Sequence, residues 1–266
     1  MTQAHPGTAL ITGASTGIGA LYAERLAQRG YDLVLVARNR ERLNALARDI
    51  STRTGRAVEV FPADLNDTAA LASVEAKLRQ DASITLLVNN AGIGTHTPLL
   101  QSDVEAMARM IALNVTALTR LTYAAVPGFV ARGRGALINI SSIVAVSPET
   151  LNGVYGGSKA FVLAFSQSLQ HELAGKGIHV QAVLPGATAT DFWATGGLPV
   201  EHLDAAIVMR AEDLVDAALL GFDRGERVTI PSLHQAEEWD AFEAARRAMA
   251  AHLSTNTPAP RYRAAH

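Results

Sequence analysis

Cysteine is absent from the chain. That absence excludes disulfides, thiolate nucleophiles and thiolate zinc sites together. Long apolar runs are missing as well, and nothing approaches the ~18–20 residues a membrane-spanning helix needs. The opening MTQAHPGTALITGAS has no basic segment leading into an apolar core, so it does not read as a signal peptide. Cytoplasmic is the expectation these absences leave. Net charge is small, −2, and the arginines are spread along the chain, so neither nucleic acid nor a membrane surface is an expected partner. The eight histidines show no close paired spacing such as H-E-x-x-H, and no metal site is expected. Lysine is scarce. There are three, Lys77, Lys159 and Lys176.

What remains is rich in apolar residues: 48% hydrophobic against 18% charged over 266 residues, enough for a substantial core. Near-continuous apolar runs, as expected for strands buried on both faces of a parallel sheet, fall at 8–12, 32–37, 57–62, 85–89, 136–141, 179–184 and 227–230. Helical patterns alternate with them at 17–29, 40–52, 67–80, 103–130, 154–174 and 212–223. This alternation predicts an α/β fold with a doubly wound, seven-stranded parallel sheet flanked by helices. No linker or repeat divides residues 1–266, which read as one domain. Two stretches depart from the pattern. Residues 187–210 are long, apolar and glycine-containing, and suit a lid over a site. Residues 233–266 read as an appended C-terminal helix and irregular tail, with Trp239, Phe242, Ala245, Met249 and Leu253 at helical spacing.

The first strand runs into TGASTGIG, with Gly13, Gly17 and Gly19, and a helix follows. Glycine lets backbone approach a pyrophosphate closely, and the helix N-terminus offers free N–H groups and positive dipole. Gly13, Ser15, Thr16, Gly17, Ile18 and Gly19 are therefore the candidate phosphate cradle. The second strand ends LVLVARNRERL, with Ala37, Arg38 and Arg40 before the first carboxylate at Glu41. An acid at that strand end would hold ribose hydroxyls and repel a 2′-phosphate, whereas a guanidinium suits the phosphate. NADP(H) is expected over NAD(H), with Arg38 as the selecting residue.

VYGGSKAFV places Tyr155 and Lys159 four apart on one helix face. A phenol near pKa ~10 is a poor acid–base catalyst at neutral pH, and a neighbouring ammonium is expected to lower it. Such a pair can give a proton to a carbonyl receiving hydride, or take one from an alcohol losing it. Upstream, NISSIVA puts Ser141 and Ser142 at a strand end, where either hydroxyl could hold the substrate oxygen.

TGASTGIG, NNAG (89–92), Asn114, the serine pair, YGGSK and PGATAT (185–190), in this order, resemble the short-chain dehydrogenase/reductase family over roughly residues 8–230. The resemblance implies a Rossmann-like domain of the compact, NADP-preferring kind. It picks Ser142 over Ser141, makes Tyr155 the general acid/base, and gives Lys159 the nicotinamide ribose. Asn114 would anchor a water in a proton relay. Asp64 and Leu65 would flank the adenine, and Asn89, Ala91 and Gly92 would line the cofactor channel and steady the central strand. Pro185, Gly186, Thr188 and Thr190 would meet the nicotinamide end, Thr188 through its backbone. Thr16 stands where NADP-using members often carry a basic residue, which leaves Arg38 more of the phosphate recognition. Gly156 and Gly157 stand where alanine is common.

The expected activity is NADPH-dependent reduction of a ketone or aldehyde to an alcohol, or the reverse, by direct hydride transfer. Phe192, Trp193 and Leu198 in the lid suggest a small-molecule substrate with some hydrophobic surface. A 3-oxoacyl-thioester reductase or hydroxy-acid dehydrogenase is the alternative enzyme. A non-catalytic NADP(H)-binding sensor or scaffold is the alternative outside enzymes. A homodimer or homotetramer built through the helices at 103–130 and 154–174 is implied by the resemblance.

Overall fold

The structure, a computed structural model, describes residues 5–263 and, of residues 194 and 195, the backbone. Residues 1–4 and 264–266 of the span read as one domain lie outside the described residues. The chain divides into two compact units, Met1–Pro231 and Ser232–His266.

In the first unit the strands are β1 (Thr8–Thr12), β2 (Asp32–Ala37), β3 (Val58–Pro62), β4 (Ile84–Asn89), β5 (Gly135–Ile140), β6 (Ile178–Val183), β7 (Thr188–Ala189), β8 (Met209–Arg210) and β9 (Val228–Thr229). Seven of them form one parallel sheet in the order β3-β2-β1-β4-β5-β6-β9. Alternate side chains serve opposite faces, as a period of two requires. Leu10, Val34, Leu87 and Leu137 join one core with α3 (Thr68–Gln80), α5 (Leu118–Ala131) and α6 (Gly153–Glu172). Ile11, Leu35, Leu86 and Ile138 join the other, with α1 (Gly17–Gln28), α2 (Arg40–Thr54) and α8 (Ala211–Asp223). Each fully buried leucine contributes roughly 1.5–3 kcal/mol, so the apolar runs that mark the strands also supply most of the driving force. β1 and β2 coincide with the expected strands, and the next four lie within one residue of them. The last strand is shorter than 227–230, pairing at Val228 and Thr229.

The order reverses between β1 and β4, and ligands of open α/β sheets bind outside the strand ends at such a switch. The glycine loop leaves β1 there, and NNAG leaves β4 beside it.

Two features differ from expectation. The helix expected at 103–130 is not continuous: α4 (Val104–Ile111) passes into a π-helical turn, Ala112–Ala117, before α5 begins. Asn114 lies in that turn, with its side chain bonded back to Ile93. The lid at 187–210 is also less irregular than expected. β7 and β8 pair in parallel at its two ends, Thr188 with Met209 and Ala189 with Arg210, and the short helix α7 (Phe192–Thr195) lies between.

The second unit contains α9 (Ala236–Ala250). Trp239 and Phe242 stack with centroids 5.3 Å apart. Glu243 is buried and holds Arg246 through two bonds of 2.8 Å. Phe242, Met249 and Leu253 are exposed.

Candidate active site

The glycine loop shows why it needs its glycines. Gly13 and Gly17 have φ of +67° and +55°, the left-handed region. A Cβ on Gly19 would sit 2.3 Å from the Gly13 carbonyl oxygen. α2, α3, α4 and α6 are capped by Asn39, Asp67, Asp103 and Asn152, but α1 has no side-chain cap at Thr16 and no acid in its first turn. Its first amides therefore point into the groove as free donors, which suits a pyrophosphate. Ser15, Thr16, Gly17 and Ile18 are partly exposed along that groove. Arg38 is exposed at the end of β2, Asp64 is exposed after β3, and Leu65 is buried. These residues fit a phosphorylated dinucleotide.

Asn90 was passed over by sequence reasoning, although it belongs to NNAG. Its Nδ2 donates to the carbonyls of Thr12 (2.9 Å) and Gly13 (3.3 Å), fastening the loop to β4. Thr12 Oγ1 accepts from the backbone of Asn90 and Ala91, both at 3.0 Å. Asn89 takes a different place. It is buried, donating to Asn139 Oδ1 (2.9 Å) and Thr122 Oγ1 (3.2 Å) in a polar link between β4, β5 and α5.

The proton-transfer residues converge. Ser142, Tyr155, Lys159 and Asn114 are all buried. Ser141 donates to the Lys159 carbonyl at 2.7 Å and is committed to the helix backbone, while Ser142 Oγ accepts from the Val144 N–H (3.3 Å), donates to the Pro185 carbonyl (3.4 Å) and lies close enough to the Tyr155 phenol to favour its ionised form. Of the two serines, Ser142 faces the tyrosine. Asn114 Oδ1 accepts from the Ile93 N–H (3.0 Å), and its Nδ2 donates to the Ile93 carbonyl (2.8 Å) and Ser158 Oγ (3.1 Å). A Cβ on Gly92 would approach both Asn114 Oδ1 (3.2 Å) and Lys159 Nζ (3.4 Å), so the two side chains flank one bare point of backbone.

The electrostatics correct one expectation. The Tyr155 phenol is not lowered; burial pushes it up to about 12, and Ser142 opposes this only in part. Lys159 Nζ donates to the Ile140 carbonyl at 2.9 Å and lies 5.9 Å from the Tyr155 ring centroid. Burial brings the lysine itself down to about 8. Burial thus leaves a protonated phenol beside an ammonium that is easily discharged.

The lid closes the site on one side. Phe192 packs on Tyr155 with centroids 5.7 Å apart, and a Cβ on Gly94 would come within 2.4 Å of the Phe192 ring. Trp193 Nε1 donates to the Thr188 carbonyl at 2.9 Å. Thr190 abuts the glycine loop, 3.3 Å from where a Gly17 Cβ would be. Pro185 and Thr188 are buried and Gly186 partly so. Phe192, Trp193 and Leu198 line a small, open cavity with Gly94, Thr95, His96, Leu151 and Gly196.

The chain is similar to several known proteins. The family described as short chain dehydrogenase matches residues 7–197. A short-chain dehydrogenase from Sphingobium yanoikuyae, solved in complex with NADPH, is 52% identical with a TM-score of 0.94, covering 97% of this chain and 100% of that one. The bulky-bulky ketone specific alcohol dehydrogenase from Comamonas testosteroni is 45% identical with a TM-score of 0.90, covering 97% and 99%. Among curated relatives, the very-long-chain 3-oxoacyl-CoA reductase of Anas platyrhynchos is 36% identical over 186 residues, 68% of this chain and 60% of the relative. The chain thus spans about 60% of that relative's length. The chain belongs to the short-chain dehydrogenase/reductase family, NAD(P)-dependent oxidoreductases that act on alcohol and carbonyl groups. Among the described residues, no helix is long and apolar enough to cross a membrane.

Proposed function

We propose that the chain is an NADPH-dependent reductase of bulky, apolar ketones that also runs as the corresponding alcohol dehydrogenase. The observation that carries this reading is the buried Tyr155 phenol. It is faced by Ser142 and roofed by Phe192, beside a cavity with apolar walls. The 45% identity to a ketone-specific alcohol dehydrogenase supports the substrate class, and the NADPH complex at 52% identity supports the cofactor.

The glycine loop and the free amides of α1 would hold the pyrophosphate, Arg38 the 2′-phosphate, and Asp64 and Leu65 the adenine. Bound NADPH supplies the hydride. The protein supplies the rest: Ser142 Oγ donates to the carbonyl oxygen, and Tyr155 Oη gives up the proton that completes the alcohol. A phenol pushed up to about 12 is fully protonated at neutral pH, which suits the reductive direction. Lys159 and Asn114 would return the proton to Tyr155, and Lys159 would also hold the nicotinamide ribose. Pro185, Gly186, Thr188 and Thr190 would border the nicotinamide end. Exposed Tyr123 and Phe161, on α5 and α6, support a homodimer or homotetramer built through those helices.

The test is cofactor oxidation across ketones of graded bulk, aldehydes, hydroxy acids and a 3-oxoacyl thioester, with NADPH and NADH. Turnover should be greatest with bulky ketones and NADPH. The thioester stands for a second reading, favoured by the likeness to the 3-oxoacyl-CoA reductase. Tight NADPH binding with no turnover on any substrate would replace both with a sensor. Arg38→Ala should weaken NADPH about tenfold to a hundredfold, the worth of one charge-assisted contact, and leave NADH unchanged. Equal losses for both cofactors would remove the role given to Arg38.

A further inference from the structure

We propose that Asn152 is a positioning residue, locking the helix that carries Tyr155 to the loop that walls the substrate pocket. The catalytic part of the proposal rests on the carbonyl-reductase reading of that pocket. Asn152 is 6% exposed, and its amide is used on both sides. Oδ1 accepts from the backbone N–H groups of Val154 (2.9 Å) and Tyr155 (3.3 Å), free donors in the first turn of α6. Nδ2 turns the other way and donates to the Thr97 carbonyl (2.6 Å) and to Ser102 Oγ (3.3 Å). Ser102 Oγ in turn donates to the carbonyls of Thr97 (3.1 Å) and Pro98 (2.8 Å), closing the loop on itself. Gly94, Thr95 and His96, a few residues earlier on this loop, line the cavity.

The residue type is informative. A cap alone is served equally by aspartate or serine, and Asp67 and Asp103 do that work on α3 and α4. Among the usual capping side chains, Ser, Thr, Asp and Asn, only the amide accepts from the helix through one atom and donates away from it through another. Asn152 therefore holds the general acid and the pocket wall in one register, across 55 residues of sequence. A reacting geometry that slips by an ångström loses about a hundredfold in rate, so such a strap acts on turnover more than on folding.

The experiment compares the full chain with Asn152→Ser and Asn152→Asp, which keep the cap and remove the strap. In both, amide exchange measured by mass spectrometry should rise about tenfold over residues 95–102 and stay near wild type over 153–157. With a reducible ketone, kcat should fall about tenfold or more while the NADPH Kd is unchanged. Asn152→Asp should lose more, because it sets a carboxylate oxygen against the Thr97 carbonyl. Unchanged exchange at 95–102 overturns the strap, whatever the turnover. Raised exchange with intact kcat overturns the positioning role. Raised exchange in a protein whose wild type reduces no carbonyl leaves the strap standing and sinks the reductase reading. Should Asn152→Ser not fold, Asn152→Asp carries the same readouts.

Discussion

The floor of the site and its lid are built on opposite principles. On the floor, Asn114, Ser142, Tyr155 and Lys159 are between 2% and 7% exposed, and Asn114, Ser142 and Lys159 are tied to backbone carbonyls by hydrogen bonds. The lid is held at its ends by the β7–β8 pair and between them by the Trp193 bond, the contact of Phe192 with Tyr155, the contacts of Thr95 and His96 with the Gly196 carbonyl and an exposed Arg42–Asp191 ion pair, and Ile207 within it is 62% exposed. Buried polar groups that are fully partnered fix one geometry, whereas a lightly tethered loop can yield to what enters. The chemistry is thus preset, and selectivity is left to the part that moves most cheaply.

The floor should break first and hardest. Tyr155→Phe removes the proton donor and should cut turnover about a hundredfold to ten-thousandfold while NADPH binding, followed by fluorescence, persists. Near-normal turnover would end the mechanism.

Lys159→Met should trade activity for stability. The folded lysine titrates near 8 against an ordinary 10.5, so its charged form is penalised by burial. Below pH 8 the folded state carries the full penalty, which fades as pH rises from 8 toward 10.5, where the unfolded lysine also discharges. Less the bond to Ile140, the substitution should stabilise the cofactor-free protein by about 2–3 kcal/mol at pH 7 and by much less at pH 10. Denaturant melts at both pH values would show it. A wild-type reduction rate that holds to pH 8 and falls above it would trace the same group.

The lid should give smaller and selective effects. Phe192→Ala should lower kcat/KM for bulky aryl ketones about tenfold and spare small ones, because apolar contact is worth a few kcal/mol at most. A uniform loss over all ketones would make Phe192 part of the floor instead. Smallest of all is Gly157→Ala. Gly157 is exposed in α6 and a Cβ there meets nothing within 4 Å, so alanine should add roughly 0.5–1 kcal/mol without altering turnover.

That last position also marks a limit of sequence reasoning. Gly156 and Gly157 stand where alanine is common, yet a Cβ on Gly156 would meet Pro148 only at ordinary contact distance, 3.4 Å, and Gly157 faces solvent. The strands were legible because burial on both faces leaves unbroken apolar runs. The π turn was not, because α and π turns share composition and differ in which backbone carbonyl each N–H reaches. Residue spacing left Ser141 and Ser142 open, and the family likeness chose between them. Asn152 announced itself weakly, as an asparagine just before a helix, but its outward bond to Thr97 depends on the fold. The phenol's pKa was misjudged because a neighbouring ammonium can be read from spacing and desolvation cannot.

The two rungs between β7 and β8 carry a consequence for redesign. Met209 N–H reaches the Ala187 carbonyl at 2.9 Å, and such main-chain bonds are indifferent to the side chains they join. Because closing a loop costs only about 0.6 kcal/mol for each doubling of its length, the stretch between those rungs can be rewritten or lengthened cheaply. It forms a cassette, open to exchange for other carbonyl compounds while the proton machinery beneath is inherited unchanged.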